Sequence, residues 1–117
     1  MGFCIFNDRY AIRMILKVFR TGDASTSDLL RVGNNYYCAT DSARQLKENG
    51  LLNEEIDPDR PNRHKWTLTE RGRAVAVMLC LCHYVSHGWV SEDGLDELNT
   101  RFLEHDEDLR YRECLKE

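Results

Sequence analysis

Between Asp8 and Thr21 apolar residues return every three or four positions (Ala11, Ile15, Val18 and Ile12, Leu16, Phe19), with Arg13, Lys17 and Arg20 between them and Gly22 following. That spacing predicts a helix with a wide buried face that stops at the glycine. Ser25-Thr26-Ser27-Asp28 offers hydroxyl caps with an acid three residues after Ser25, suited to the open amides of a second helix covering Leu29, Leu30 and Val32. Gly33-Asn34-Asn35 interrupts it at once. Asn35 then caps a third helix, Tyr36 to Asn49, with Tyr36, Ala39, Ala43 and Leu46 as one inward stripe, Tyr37 outward, and Gly50 as the left-handed residue after the end. A short helix, a three-residue turn and a longer helix make a helix-turn-helix candidate.

Past Gly50 the pattern changes. Leu51 to Ile56 and His64 to Leu68 are short runs with β-formers at their ends or at alternate positions, and Asp57 to Arg63 between them is rich in turn residues. Two strands joined by a polar loop are expected. Thr69-Glu70-Arg71-Gly72 leads into a helix reaching about His87, apolar on every side at its centre, so that other protein must enclose it. After Gly88, Ser91-Glu92-Asp93 caps a last helix in which Leu95, Leu98, Phe102 and Leu109 keep the spacing of a packing seam and His105 fills the remaining seam position.

The order helix, helix-turn-helix, two-stranded hairpin, helix is mainly α with some β and resembles the winged helix-turn-helix fold; a two-stranded wing and C-terminal dimerisation helices are expected, residues 1–88 forming the domain and 89–117 an acidic dimerisation element. Charge supports that division. The 117 residues carry a net charge of −4, split as +2 over residues 1–88 and −6 over 89–117. Bulk attraction to nucleic acid is thereby excluded, and any such contact must be local. The longest apolar stretch, Ala74 to Val85, falls short of the roughly 18–20 residues a bilayer span needs, and the N-terminus lacks the build of a secretion signal, so a cytoplasmic protein with no membrane partner is expected. The five cysteines are odd in number and include no Cys-x-x-Cys, which signals neither a disulfide framework nor a four-cysteine zinc site.

Two stretches resemble one family. Leu46-Lys47-Glu48-Asn49-Gly50-Leu51-Leu52 looks like the end of a recognition helix entering the first wing strand in archaeal and bacterial MarR/PadR-type regulators. Trp66-Thr67-Leu68-Thr69-Glu70-Arg71-Gly72 is similar to that family's aromatic-x-Leu-Thr-x-x-Gly exit from the wing, and together the resemblance covers about residues 8–88. It implies a winged-helix transcriptional regulator that binds double-stranded DNA as a homodimer. Winged helices also serve as protein-docking modules in larger assemblies, and that alternative stays open.

If the third helix reads DNA, Tyr37, Thr40, Asp41, Arg44 and Gln45 face the major groove, with Asn35 near a phosphate at the helix start. Arg44 suits guanine, Gln45 adenine, and Asp41 could accept from cytosine N4 while repelling the backbone. Residues 60–73 carry a local charge of +4, from Arg60, Arg63, Lys65, Arg71 and Arg73 against Glu70, beside His64. Such a wing suits a minor groove or flanking phosphates, the plain alternative being a solvated hairpin. Glu54, Glu55, Asp57 and Asp59 read as solvated acids.

Cys80, His83 and His87 fall on one narrow helical face and could share a metal, but no fourth ligand is evident, and a packed helix explains them as well. No serine elbow, phosphate-cradling loop or His-Glu-x-x-His is present, so neither an enzyme nor a cofactor is expected. Val77, Leu81, Tyr84, Leu95, Leu98, Phe102 and Leu109 are the expected dimer contacts. The chain names no small-molecule effector and leaves one open.

Overall fold

Asp8 starts the fold by satisfying two elements at once. In the computed structural model, which describes residues 3–103, one of its carboxylate oxygens accepts from the Ala11 amide at 3.1 Å and caps helix α1 (Arg9–Thr21). The other accepts at 2.7 Å from the hydroxyl of Ser42, a buried residue on helix α3 (Tyr36–Glu48). Between these helices lie a two-residue strand β1 (Ala24–Ser25) and helix α2 (Thr26–Leu30), whose cap is the Ser25 hydroxyl accepting from the Asp28 amide. Strand β2 (Leu52–Asp57), strand β3 (Arg60–Leu68), helix α4 (Glu70–Ser86) and helix α5 (Glu92–Leu103) complete the order.

The chain divides into two units, Met1–Met78 and Leu79–Glu117. In the first, Met14, Ile15 and Val18 of α1 are fully buried with Leu29 of α2 and Ala39 and Leu46 of α3, and Leu52 and Trp66 are buried on the sheet. The sheet is antiparallel with order β1-β3-β2. The wing is two-stranded as expected, but β1 adds a third strand by pairing Ala24 with Trp66 and Ser25 with Lys65. Trp66 strengthens that junction by donating its indole N–H to the Thr26 hydroxyl at 2.9 Å.

Three local expectations need correction. Tyr36 does not belong to the inward stripe: it is 65% exposed, and Ser42 takes an inward place that a search for apolar residues passes over. Val32 lies beyond α2, in the turn, where its carbonyl accepts from Arg13. The long loop between the strands contracts to Pro58-Asp59, because Asp57 accepts from the Asp59 amide at 2.9 Å in an Asx turn and lets β3 begin at Arg60. Strand β3 then carries extra length: Asp57 pairs with Arg60 but Ile56 with His64, so Pro61, Asn62 and Arg63 form a bulge.

The two stretches that carry the family resemblance meet in space. Gly50, at φ 75°, turns the chain out of α3, and its carbonyl accepts from the Thr69 hydroxyl at 2.6 Å. The same hydroxyl accepts from the Gly72 amide at 2.9 Å, and Arg71 donates to the Asn49 carbonyl. Gly72 leaves the room this needs, since a Cβ there would stand 2.0 Å from the Leu51 carbonyl oxygen.

In the second unit the Ser91 hydroxyl caps α5 by accepting from Gly94, and His87 stacks on Trp89 at 4.7 Å between centroids. Among the described residues no helix is long and apolar enough to cross a membrane.

Candidate nucleic-acid interface

Helix α3 presents a polar face opposite Ala39, Ala43 and Leu46. Asn35 caps it, its side-chain oxygen accepting from the Cys38 amide at 3.1 Å. Tyr37, 84% exposed, stands in its first turn, edge-on to Tyr36. Thr40 is exposed and its hydroxyl donates to the Tyr36 carbonyl at 2.9 Å. Further along, Asp41, Arg44 and Gln45 form one network. Arg44 donates through one terminal nitrogen to Asp41 and through the other to Glu48 at 3.0 Å, while Gln45 donates its amide to the second Asp41 oxygen at 2.9 Å. The carboxylates, Asp41 foremost and then Glu48, raise the Arg44 pKa above the usual arginine value.

The wing is arranged differently. Among the described residues Arg60, Arg63 and Lys65 make no ion pair, and Arg60 and Arg63 are exposed at the tip and bulge. Asn62, Arg63 and His64 line one side of an open groove of about 650 Å³, with Ser25, Thr26, Ser27 and Asp28 across it. Glu54 joins wing to helix: it accepts from Lys47, near the end of α3, at 2.9 Å, and its other oxygen lies 2.8 Å from His64 Nδ1.

Glu54 was not expected to matter, being grouped with the solvated acids. Its side chain is only 22% exposed, and the Lys47 ammonium holds its carboxyl below the usual glutamate range, against some desolvation and with help from His64. The signal was absent from the sequence because the partners are seven and ten residues apart on different elements. The Asp41, Arg44, Gln45 and Glu48 contacts, by contrast, lie at helical spacings of three and four.

A depressed carboxyl pKa contributes its pairing above the unfolded value and loses it as pH falls through the lower, folded one. In Lys47→Met the Glu54 titration midpoint, followed by carboxyl-carbon NMR, is therefore expected to rise toward the ordinary glutamate value. An unmoved midpoint would show that Lys47 does not set it.

The remaining candidates are dispersed. Cys80 is half-buried and His83 and His87 are exposed, their rings edge-to-face at 4.3 Å, and among the described residues no three His, Cys, Asp or Glu groups come together to hold a metal. Val77 and Tyr84 are exposed, and Leu81, Leu95 and Leu98 half-buried. Phe102 lies within the α5 backbone, and Leu109 falls outside the described residues.

A capped helix-turn-helix followed by a hairpin and a long helix is the architecture of winged-helix regulators. The chain belongs to the HxlR-like helix-turn-helix family, whose model matches residues 5–93, and it is a transcriptional regulator of the helix-turn-helix type. A curated HTH-type transcriptional regulator of Synechocystis is 26% identical over 94 residues, covering 79% of this chain and 69% of the relative. Among solved structures, FabT of Streptococcus pneumoniae in complex with DNA has a TM-score of 0.62 at 15% identity, over 92% of this chain and 77% of that one. The MepR–DNA complex of S. aureus has a TM-score of 0.61 at 11% identity, over 82% of this chain and 77% of that one. These likenesses establish the fold.

Proposed function

We propose that the chain binds double-stranded DNA sequence-specifically as a homodimer, with α3 in the major groove and the basic wing on the minor groove or flanking phosphates. The observation that carries this reading is the pairing of an exposed polar helix face with a wing whose Arg60, Arg63 and Lys65 have no carboxylate partner among the described residues. Unpaired cations can neutralise phosphates, and the helix face can read base edges. DNA in the FabT and MepR structures supports the same use of this fold.

Unmet apolar surface supports the dimer. On α4 only Gly72 and Ala76 are buried, while Val77, Met78, Tyr84 and Val85 are exposed together with Trp89 beyond it. A second copy of the chain covering these residues removes that surface from water. It would also present two copies of α3 to half-sites about one helical turn apart. Action on DNA of this kind places the regulator in the cytoplasm.

Sequencing of fragments bound by the purified chain, with light scattering on the same preparation, tests both parts. Enrichment of a two-fold symmetric site, affinity falling steeply with salt and a dimer at micromolar concentration are expected. A well-folded monomer would overturn the dimer. Absence of duplex binding even at low salt would overturn the DNA reading and favour docking on protein.

A further inference from the structure

Helix α3 carries two cations, and both are already matched by carboxylates: Arg44 by Asp41 and Glu48, Lys47 by Glu54. Its face therefore offers little net attraction to phosphate, and its contribution must be selection. The arrangement around Asp41 suits that role. Asp41 reaches Arg44 three residues on and Gln45 four residues on, one through each carboxylate oxygen. A carboxylate only accepts, so Gln45 must turn its amide nitrogen toward Asp41, which fixes the amide's orientation. Arg44 is gripped from both sides along the helix, by Asp41 and by Glu48 one turn further on, and two of its five N–H donors are used.

We infer that Asp41 is a positioning residue that holds Arg44 and Gln45 ready to read base edges, rather than a reader itself. This rests on the DNA-binding reading given above. An exposed arginine is a long side chain with large rotamer freedom, and binding must freeze it. Held by two carboxylates, it meets the groove already ordered. The same carboxylates discourage it from settling on the nearest phosphate, which would neutralise charge without reading sequence. Asp41, repulsive toward the backbone when considered alone, thus makes Arg44 selective. Each of its oxygens already accepts one bond from these neighbours, so a contact with cytosine N4 would have to share an oxygen with Arg44 or Gln45.

The test uses the preferred site found by fragment sequencing and duplexes with each base pair changed in turn, measured against the wild-type chain, Asp41→Asn, Asp41→Ala, Arg44→Ala and the Asp41→Ala/Arg44→Ala double variant. Asp41→Asn and Asp41→Ala are expected to lose discrimination at the base pairs that Arg44→Ala affects, by about five- to tenfold. The double variant should be no worse there than Arg44→Ala alone, the mark of residues acting as a unit.

Non-specific duplex should at the same time bind more tightly to Asp41→Ala. The dependence of log K on log salt should steepen by up to about 0.9 as the released guanidinium meets a phosphate, a change that a merely structural role would not produce. Both substitutions are at an exposed position, and the thermal midpoint serves as the folding control. Loss of discrimination at a separate C·G pair that Arg44→Ala still recognises would make Asp41 a reader and overturn the inference. Unchanged discrimination in both Asp41 variants would overturn it too. Failure of the wild-type chain to bind any duplex would instead remove the DNA-binding reading beneath it.

Discussion

Gly72→Ala is expected to destabilise the protein by about 3 kcal/mol, lowering the thermal midpoint by more than about 10 °C. Helix propensity alone predicts the opposite sign, since alanine is favoured over glycine in a helix interior by about 1 kcal/mol. The contact decides. A methyl at Gly72 would stand 2.0 Å from the Leu51 carbonyl oxygen and 3.0 Å from its carbon, which are backbone atoms that cannot swing aside as a side-chain tip can. That backbone is also held in place: the Leu51 carbonyl accepts from Thr69, and the Leu51 amide donates to Leu46. Accommodating the methyl means separating α4 from the α3 to β2 turn. A raised midpoint in a thermal melt would mean that this junction is far looser than its hydrogen bonds imply.

Replacing Arg60 and Arg63 together by alanine should weaken binding to every duplex alike, by about tenfold or more at moderate salt, and flatten the log–log salt slope by up to about 1.8. The preferred sequence should survive, because exposed cations on a hairpin tip position a protein without reading bases. The effect contrasts with that of Arg44→Ala, which should alter preference at one or two base pairs. Affinity and slope both unchanged in the double variant would take the wing out of the interface.

The elements with a buried stripe were legible in the sequence. α1 and α3 end within a residue or two of where spacing, caps and glycines put them, because an amphipathic helix repeats its signal over several turns, whereas α4, apolar on every side at its centre, was delimited by Thr69 and Gly88. The wing was harder to delimit. Most of β3 is solvated on both faces, so no alternation separates strand from loop between Arg60 and Lys65, and turn-forming residues there read as a longer loop. β1 is too short to have a pattern at all. At the site the helical pairings around Asp41 could be found by counting threes and fours. The Lys47, Glu54 and His64 chain could not, since it depends on which face of β2 lies beside the end of α3.

The bulge at Pro61, Asn62 and Arg63 has a consequence for keeping the chain apart from its own copies. β1 covers the side of β3 facing away from β2 only at Trp66 and Lys65, so the strand beyond is an open edge. Open edges invite another chain to add a strand, the first step toward aggregation. Here the ladder is interrupted by an unpaired stretch, proline removes one donor, and Arg60, Arg63 and Lys65 set like charges along the rim. Two copies brought edge to edge meet with mismatched backbone and mutual repulsion. The charges proposed to meet DNA therefore also oppose edge-to-edge pairing, and a wing stripped of them would lose that protection along with the proposed contact to phosphate.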